Sequence, residues 1–116
     1  INIAKVYPVA EWFIQLKTIR AGILAREADR AARKIITDAG FGRNFGHGLG
    51  HGVGLAVHEM PSLNKRRRNK LQPGMVVTVE PGIYISGWGG VRLENMVVVE
   101  REGCTVLNRD TTFLDI

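Results

Sequence analysis

The sequence is short of several features that whole classes of protein require. Its 116 residues include one cysteine, Cys104, so no disulfide can form within the chain and a disulfide-stapled secreted scaffold is excluded. No apolar run approaches the ~20 residues of a membrane-spanning helix, and the first residues show no apolar signal segment. With 45% hydrophobic and 23% charged residues, the composition is typical of one globular domain, which we expect in the cytoplasm.

Positive charge is concentrated in one place. Residues 65–70 read KRRRNK and carry five of the positive charges of a chain whose net charge is +5. Contact with nucleic acid is one interpretation of such a run. We favour a solvated loop, because short charge runs usually are solvated and no aromatic residue interleaves here to stack on bases. Neither a membrane nor nucleic acid is therefore an expected partner.

Two stretches of the chain have the apolar spacing of amphipathic helices. The first comprises Val9, Trp12, Phe13, Leu16 and Ile19, and the second comprises Ala28, Ala31, Ala32, Ile35, Ile36 and Ala39. Gly40 is well placed to end the second helix. Short β-prone runs follow at residues 55–58, 75–80, 83–85, 91–99 and 105–107, separated by Gly and Pro turn signals. The sequence thus predicts an α+β fold, with two helices followed by an antiparallel sheet.

All three histidines, His47, His51 and His58, fall within a glycine-rich stretch that holds five of the fourteen glycines. The first two are four residues apart, as in a helical HExxH zinc motif, but no Glu follows His47. Glycine at every second position also disfavours a helix, at a cost of about 1 kcal/mol each. Such a pattern instead favours extended backbone that a metal, a substrate or a neighbouring strand approaches closely.

Two glutamates further along occupy β-prone runs. Glu80 lies among apolar residues, where a carboxylate is costly unless it is paired or bound to a metal. Glu94 has the alternative of an ion pair with Arg92, with which it would share a strand face. One imidazole and two carboxylates make a hard, oxygen-rich cation site suited to Mn, Co, Fe or Zn. Cys104 is expected to be a small buried hydrophobe rather than a nucleophile.

Three blocks carry a resemblance to a known family: HGLGHGVGLAVHEMP at 47–61, LQPGMVVTVEPGIY at 71–84 and GVRLENMVVV at 90–99. Together they resemble the C-terminal half of the catalytic domain of the pita-bread metallopeptidases, the creatinase/aminopeptidase fold. The RLEN run at 92–95 resembles the proline-directed branch, Xaa-Pro dipeptidase and aminopeptidase P. The resemblance implies a hydrolase that cuts a peptide at the bond before proline.

The resemblance also implies a centre of two divalent ions (Mn, Co, Zn or Fe) with five protein ligands, among which His51, Glu80 and Glu94 match the histidine and the two glutamates. The remaining two ligands of the family are aspartates upstream. The four aspartates of this chain, at positions 29, 38, 110 and 115, do not fall in such a motif. We therefore expect residues 1–116 to be a partial catalytic domain whose upstream half is missing, with an incomplete site and no activity on its own.

By the same resemblance, His58 and Glu80 are the catalytic residues that move protons, and His47 and Arg92 contact the substrate or orient the ligands near Glu94. The missing half implies a homodimer or a companion chain. Two alternatives stay open. One is a non-catalytic pita-bread binding module associated with nucleic acid or the ribosome, and the other is a half domain that acts through assembly.

Overall fold

The computed structural model describes residues 17–108, and within that range an α-helix precedes two antiparallel sheets, as an α+β fold requires. The elements are α1 (Ala25–Asp38), β1 (Gly50–Gly52), β2 (Glu59–Leu63), β3 (Val76–Val79), β4 (Gly82–Ile85), β5 (Gly89–Arg92), β6 (Asn95–Val99) and β7 (Cys104–Val106). The predicted fold class is confirmed. The first predicted helix lies outside the described residues except near its end, where Ile19 is buried in the core.

The second predicted helix is confirmed as α1, and backbone contacts fix both of its ends. At the start, the N–H groups of Ala25 and Arg26 donate to the carbonyls of Asn69 and Arg67, each at 2.9 Å. These carbonyls belong to the basic run, whose side chains at 65–70 are exposed while its backbone satisfies the first turn of the helix. At the other end, Gly40 has φ +92°, the left-handed conformation that glycine adopts most easily.

A five-stranded antiparallel sheet in the order β2-β1-β3-β6-β7 forms the main layer, and β4 and β5 form a separate hairpin. The core joins the apolar face of α1 to this sheet. Its fully buried side chains include Ala28, Ala32, Leu63, Val77 and Val97. Burial of the alanine face lets the helix approach the sheet closely, and among the strands α1 packs chiefly against β2.

The strand predictions were right for β3, β4 and β7 and wrong at two places. Residues 55–58 form a bend, not a strand, and Leu55 and Val57 are exposed. The alternating glycines predicted extended backbone beside a neighbouring strand, and β1 confirms this, although β1 was not among the predicted strands. The strand β2 was missed, because it contains Pro61. Proline is depleted in strands, and β2 tolerates it as an edge strand.

The predicted single strand at 91–99 is in fact two strands separated by Leu93 and Glu94. β5 pairs with β4 in the hairpin, whereas β6 pairs with β3 in the main sheet, so the chain must change direction between them. Glu94 consequently lies in the break and does not share a regular strand face with Arg92 and Met96, as the sequence had indicated.

Cys104 is half-buried in β7 and packs against the core, which agrees with its expected role as a small hydrophobe. Burial, assisted by the nearby carboxylate of Glu100, raises the pKa of its thiol to about 11. A thiol with so high a pKa is a poor nucleophile at neutral pH. Across residues 17–108, no helix is both long and apolar enough to cross a membrane.

The glycine at position 50 is required by the close approach of two strands. A Cβ atom there would lie 1.9 Å from the carbonyl oxygen of Thr78, which belongs to the backbone of β3 and cannot move aside. We expect Gly50→Ala to lower the free energy of unfolding by about 3 kcal/mol, the upper end of typical overpacking. Urea unfolding followed by circular dichroism measures this.

Gly46→Ala is the matched control, since a Cβ atom at position 46 meets nothing within 4 Å. It should change the free energy of unfolding by less than about 0.5 kcal/mol. Equal stability of the two variants would contradict the close approach of β1 and β3.

Candidate metal centre

Three side chains that are far apart in sequence meet on one side of the sheet. His51 comes from β1, Glu80 from the residue after β3, and Glu94 from the break between β5 and β6. Each offers a ligand atom, and these atoms all lie within 4.8 Å of one another. The structure therefore brings together the three residues that the sequence singled out, in the arrangement of one nitrogen and two carboxylate donors that a divalent cation can bridge.

The hydrogen bonds of His51 indicate what belongs between these residues. Its Nδ1 lies 2.9 Å from the carbonyl oxygen of Gly52, which can only accept, so Nδ1 carries the hydrogen. The other ring nitrogen, Nε2, lies 3.1 Å from Glu80 Oε1. Two acceptors at this distance require a proton or a cation between them. The donor set thus fits a metal ion.

A buried hydroxyl links the two inner donors. Thr78, on β3, accepts the backbone N–H of His51 at 3.0 Å and donates to Glu80 Oε1 at 2.9 Å. The side chains of His51 and Glu80 are only 18% and 14% exposed. Thr78 therefore holds the backbone of His51 and the carboxylate of Glu80, and both side chains are largely shielded from solvent. Such support positions the two residues relative to each other.

Arg92 lies near a different carboxylate from the one expected. Its Nε is 4.0 Å from Glu80 Oε2, and the side chain is 53% exposed. Among the described residues it makes no ion pair with Glu94, so the alternative of an Arg92–Glu94 pair is wrong, and Arg92 sits beside Glu80. The reason is the strand break: Arg92 ends β5 and Glu94 turns away toward β6.

The other two histidines lie on the walls of the same cleft. His58 is exposed and its ring packs edge-on against that of His51, with 4.4 Å between centroids. His47 stands farther along, where its Nδ1 donates to the carbonyl of Gly48 at 2.7 Å. These histidines, Glu80 and Arg92 line one open cleft of about 420 Å³.

Sequence reasoning missed two groups around the site. Tyr84 donates its hydroxyl hydrogen to Nε2 of His47 at 2.8 Å, since the other ring nitrogen already carries a hydrogen. The sequence feature that could have indicated Tyr84 is the alternation of side-chain faces along β4. It places Tyr84 on the same face of the strand as Gly82, two residues earlier. The other group is Asp29 with Arg33, an ion pair in α1. A carboxylate within the apolar stripe of the helix was the available sign.

The described aspartates lie away from the three donors. Asp29 is fully buried against Arg33, and Asp38 pairs with Lys34 on the exposed side of α1. Asp110 and Asp115 lie outside the described residues. Within residues 17–108 the site consequently contains one histidine and two glutamates and no aspartate.

Comparison with known proteins gives a consistent set of matches. Residues 13–101 match the sequence profile of metallopeptidase family M24. The Xaa-Pro dipeptidase of Pyrococcus horikoshii is 45% identical over 94 residues, which make up 81% of this chain and 27% of that protein.

Two solved structures are similar in both fold and sequence. The Xaa-Pro dipeptidase from Bacillus anthracis superposes with a TM-score of 0.91 at 46% identity, over 94% of this chain and 30% of that one. The prolidase from Pyrococcus furiosus gives 0.90 at 39% identity, over 94% and 32%. The chain thus spans about 30% of the length of these relatives. Its resemblance to the proline-directed branch of the pita-bread peptidases is confirmed.

The bridging hydroxyl of Thr78 gives a direct test of the site. Thr78→Val keeps the shape of the side chain but leaves the His51 N–H without its acceptor and Glu80 without its donor. We expect a loss of about 1–3 kcal/mol in the free energy of unfolding, together with weaker binding of Mn(II). Urea unfolding and calorimetric titration measure the two effects.

Thr105→Val is the control, because the hydroxyl of Thr105 bonds only the exposed Glu100 on the far edge of the sheet. It should leave both quantities unchanged. If Thr78→Val also leaves both unchanged, the hydroxyl does not organise the site.

Proposed function

The chain belongs to metallopeptidase family M24, and from that premise we propose that it is part of a peptidase that hydrolyses the bond before proline. The observation that carries the proposal is the meeting of His51, Glu80 and Glu94 within 4.8 Å. The names of the similar proteins and the RLEN run at 92–95 support the preference for proline. The complete set of three donors favours an enzyme over the non-catalytic binding module.

We propose that His51, Glu80 and Glu94 hold a divalent cation in a centre of two metal ions. Nitrogen and carboxylate donors without thiolate suit Mn, Co, Zn or Fe. When bound, such ions polarise a carbonyl and make water a nucleophile at neutral pH. Three donors are few for two ions, and neither described aspartate reaches the site. We propose that the two aspartate ligands come from an upstream half of the catalytic domain outside this sequence.

Glu80 is proposed to move a proton during hydrolysis. Its Oε1 receives the hydroxyl of Thr78, and its Oε2 faces Arg92 at 4.0 Å. From this position Glu80 can accept a proton and later release it to the leaving amine. The side chain is mostly shielded from solvent, so the proton is exchanged with the reacting groups rather than with bulk water.

His58 and His47 have different proposed roles because their environments differ. The imidazole of His58 is exposed beside His51 and is free to hydrogen-bond the oxygen of a tetrahedral intermediate. Both nitrogens of His47 are engaged, one by Gly48 and the other by Tyr84. His47 is therefore proposed as a fixed wall of the substrate site, with Arg92 as a further lining residue that contacts the substrate.

A partner is proposed for the open side of the sheet. β2 forms one edge of the main sheet, and Leu55, Val57 and Met60 expose large apolar side chains beside it. An unpaired edge next to exposed apolar groups favours association. We propose a second copy of the chain, or a companion chain that supplies the missing half, as the cover.

Cation binding tests the donor set directly. The chain alone should bind Mn(II) or Zn(II) weakly, with a dissociation constant in the micromolar range or above, since the proposed centre has only part of its ligands. Glu80→Gln and Glu94→Gln should each weaken binding roughly tenfold or more, by the cost of losing a charged ligand. Calorimetric titration measures this.

Glu102→Gln is the control for charge alone, because Glu102 is exposed in the turn before β7. Equal losses in all three variants would show a general charge effect instead of a site. Submicromolar binding of two ions per chain would refute the proposal that aspartate ligands are supplied from elsewhere.

Peptide hydrolysis tests the function. We expect the complete protein that contains this chain, loaded with Mn(II), to cleave an Xaa-Pro dipeptide and to leave Met-Ala largely intact, while the chain alone cleaves neither. Released amino acid, measured by a colorimetric assay, gives the rates. Preference for Met-Ala would overturn the proline assignment, and activity of the chain alone would overturn the incomplete site.

A further inference from the structure

An ion pair buried under the glycine-rich segment has no part in the chemistry proposed above. Asp29, in the apolar stripe of α1, is fully buried, and the side chain of Arg33 is 15% exposed. Arg33 Nε donates to Asp29 Oδ2 at 2.9 Å and Nη2 donates to Oδ1 at 3.0 Å. Because desolvation largely offsets the attraction within such a pair, its stability benefit alone does not explain it.

The remaining hydrogen bonds of Asp29 and Arg33 are made to residues 45–49, the segment that leads into the site. Arg33 Nη1 donates to the carbonyl of Phe45 at 2.7 Å, and Nη2 donates to the carbonyl of His47 at 2.8 Å. Asp29 Oδ1 accepts the N–H of Leu49 at 3.1 Å. The guanidinium also lies over the Phe45 ring, 4.1 Å from its centroid. Every second residue of the segment is thus held by the same two side chains.

The segment needs this support because of its composition. Gly46 and Gly48 alternate with the held residues, and glycine leaves the backbone free to adopt many conformations. Residues 45–49 precede β1 and form no strand of their own. Buried carbonyl and N–H groups in such a segment require partners, and the rigid fork of an arginine can serve two carbonyls and a carboxylate at once.

We propose that Asp29 and Arg33 are positioning residues of the site. They fix the backbone of residues 45–49, which places the ring of His47 at the cleft and delivers His51 in register with Glu80. Their significance for catalysis rests on the proposed function, but their action on the segment does not.

The same helix supplies a matched control. Lys34 and Asp38 form an ion pair with the same spacing of four residues, at 2.6 Å, but their side chains are 72% and 62% exposed. A pair so exposed contributes little to stability. Asp38→Asn removes the same charge from α1 as Asp29→Asn does, and neither Lys34 nor Asp38 holds residues 45–49.

The test compares Arg33→Lys and Asp29→Asn with Lys34→Met and Asp38→Asn in the full 116-residue chain. Arg33→Lys keeps the positive charge but lacks the branched guanidinium group. Asp29→Asn keeps the shape of the side chain but removes its negative charge and so weakens the ion pair. Nuclear magnetic resonance gives the hydrogen-exchange rate of each amide and the ring signals of each histidine. Titration with Zn(II) gives cation affinity.

In Arg33→Lys and Asp29→Asn, we expect the Leu49 amide to exchange about tenfold faster or more relative to the amides of β6, by the usual cost of losing a charged hydrogen bond. The ring signals of His47 should move while those of His58 stay, and Zn(II) affinity should fall. Neither control variant should show these changes.

Equal acceleration of exchange at Leu49 and in β6 would mean a loss of global stability only, and would overturn the positioning role. Unchanged exchange at Leu49 would overturn it as well. If no variant, nor the parent chain, binds Zn(II) but the local change at Leu49 appears, the positioning role stands and the proposed binding of a cation by His51, Glu80 and Glu94 fails.

Discussion

The close approach of β1 to β3 is the constraint on which the rest of the structure depends. Gly52 is paired with Val77, and the N–H of Glu80 donates to the carbonyl of Leu49 at 2.8 Å. This spacing exists because position 50 has no side chain to collide with β3. The histidine after Gly50 is consequently placed opposite the glutamate after β3. A strand of only three residues, two of them glycine, thus sets the geometry of the site.

Within the described residues, the negative charge of the assembled site is only partly compensated. Glu80 and His51 Nε2 face each other, and Glu94 brings a second carboxylate close by. The compensation that the chain provides is modest: one hydroxyl, from Thr78, and Arg92 at 4.0 Å, itself half exposed. Two carboxylates held this close repel each other, and a cation between them would remove that repulsion. Membership of a metallopeptidase family supports the proposal that a cation binds here.

The sequence was sufficient to predict the parts that depend on local pattern. Glycine at position 40 predicted the end of α1, and the valine-rich run at 75–80 predicted β3. The three donors were identified from motif blocks, not from periodicity. Pairing between distant segments was beyond reach: the alternating glycines indicated extended backbone around β1 but not which strands it pairs with, and local rules assign the proline of β2 to a turn. The position of Glu94 was missed for the same reason, since a run of β-forming residues does not show where the chain changes sheets.

Buried polar groups mark the other limit of sequence reasoning. Asp29 looked like one more residue of an amphipathic helix, yet it is fully buried because Arg33 and the Leu49 N–H satisfy it. Such a residue can be suspected from its place in an apolar stripe, but its partners lie in a segment that local patterns do not connect to the helix. The hydrogen bonds between α1 and residues 45–49 are therefore visible only in the structure and not in the sequence motif.

The two sides of the site differ in how firmly they are held. His51 and Glu80 are largely shielded and fixed by Thr78, whereas Glu94 and His58 are exposed, as are the apolar Leu55 and Val57 nearby. This difference in exposure supports the proposal that another part of the protein completes the cleft. The outer side is where the proposed aspartates and the substrate would have to arrive, and its exposed apolar residues are suited to contact with whatever carries those ligands.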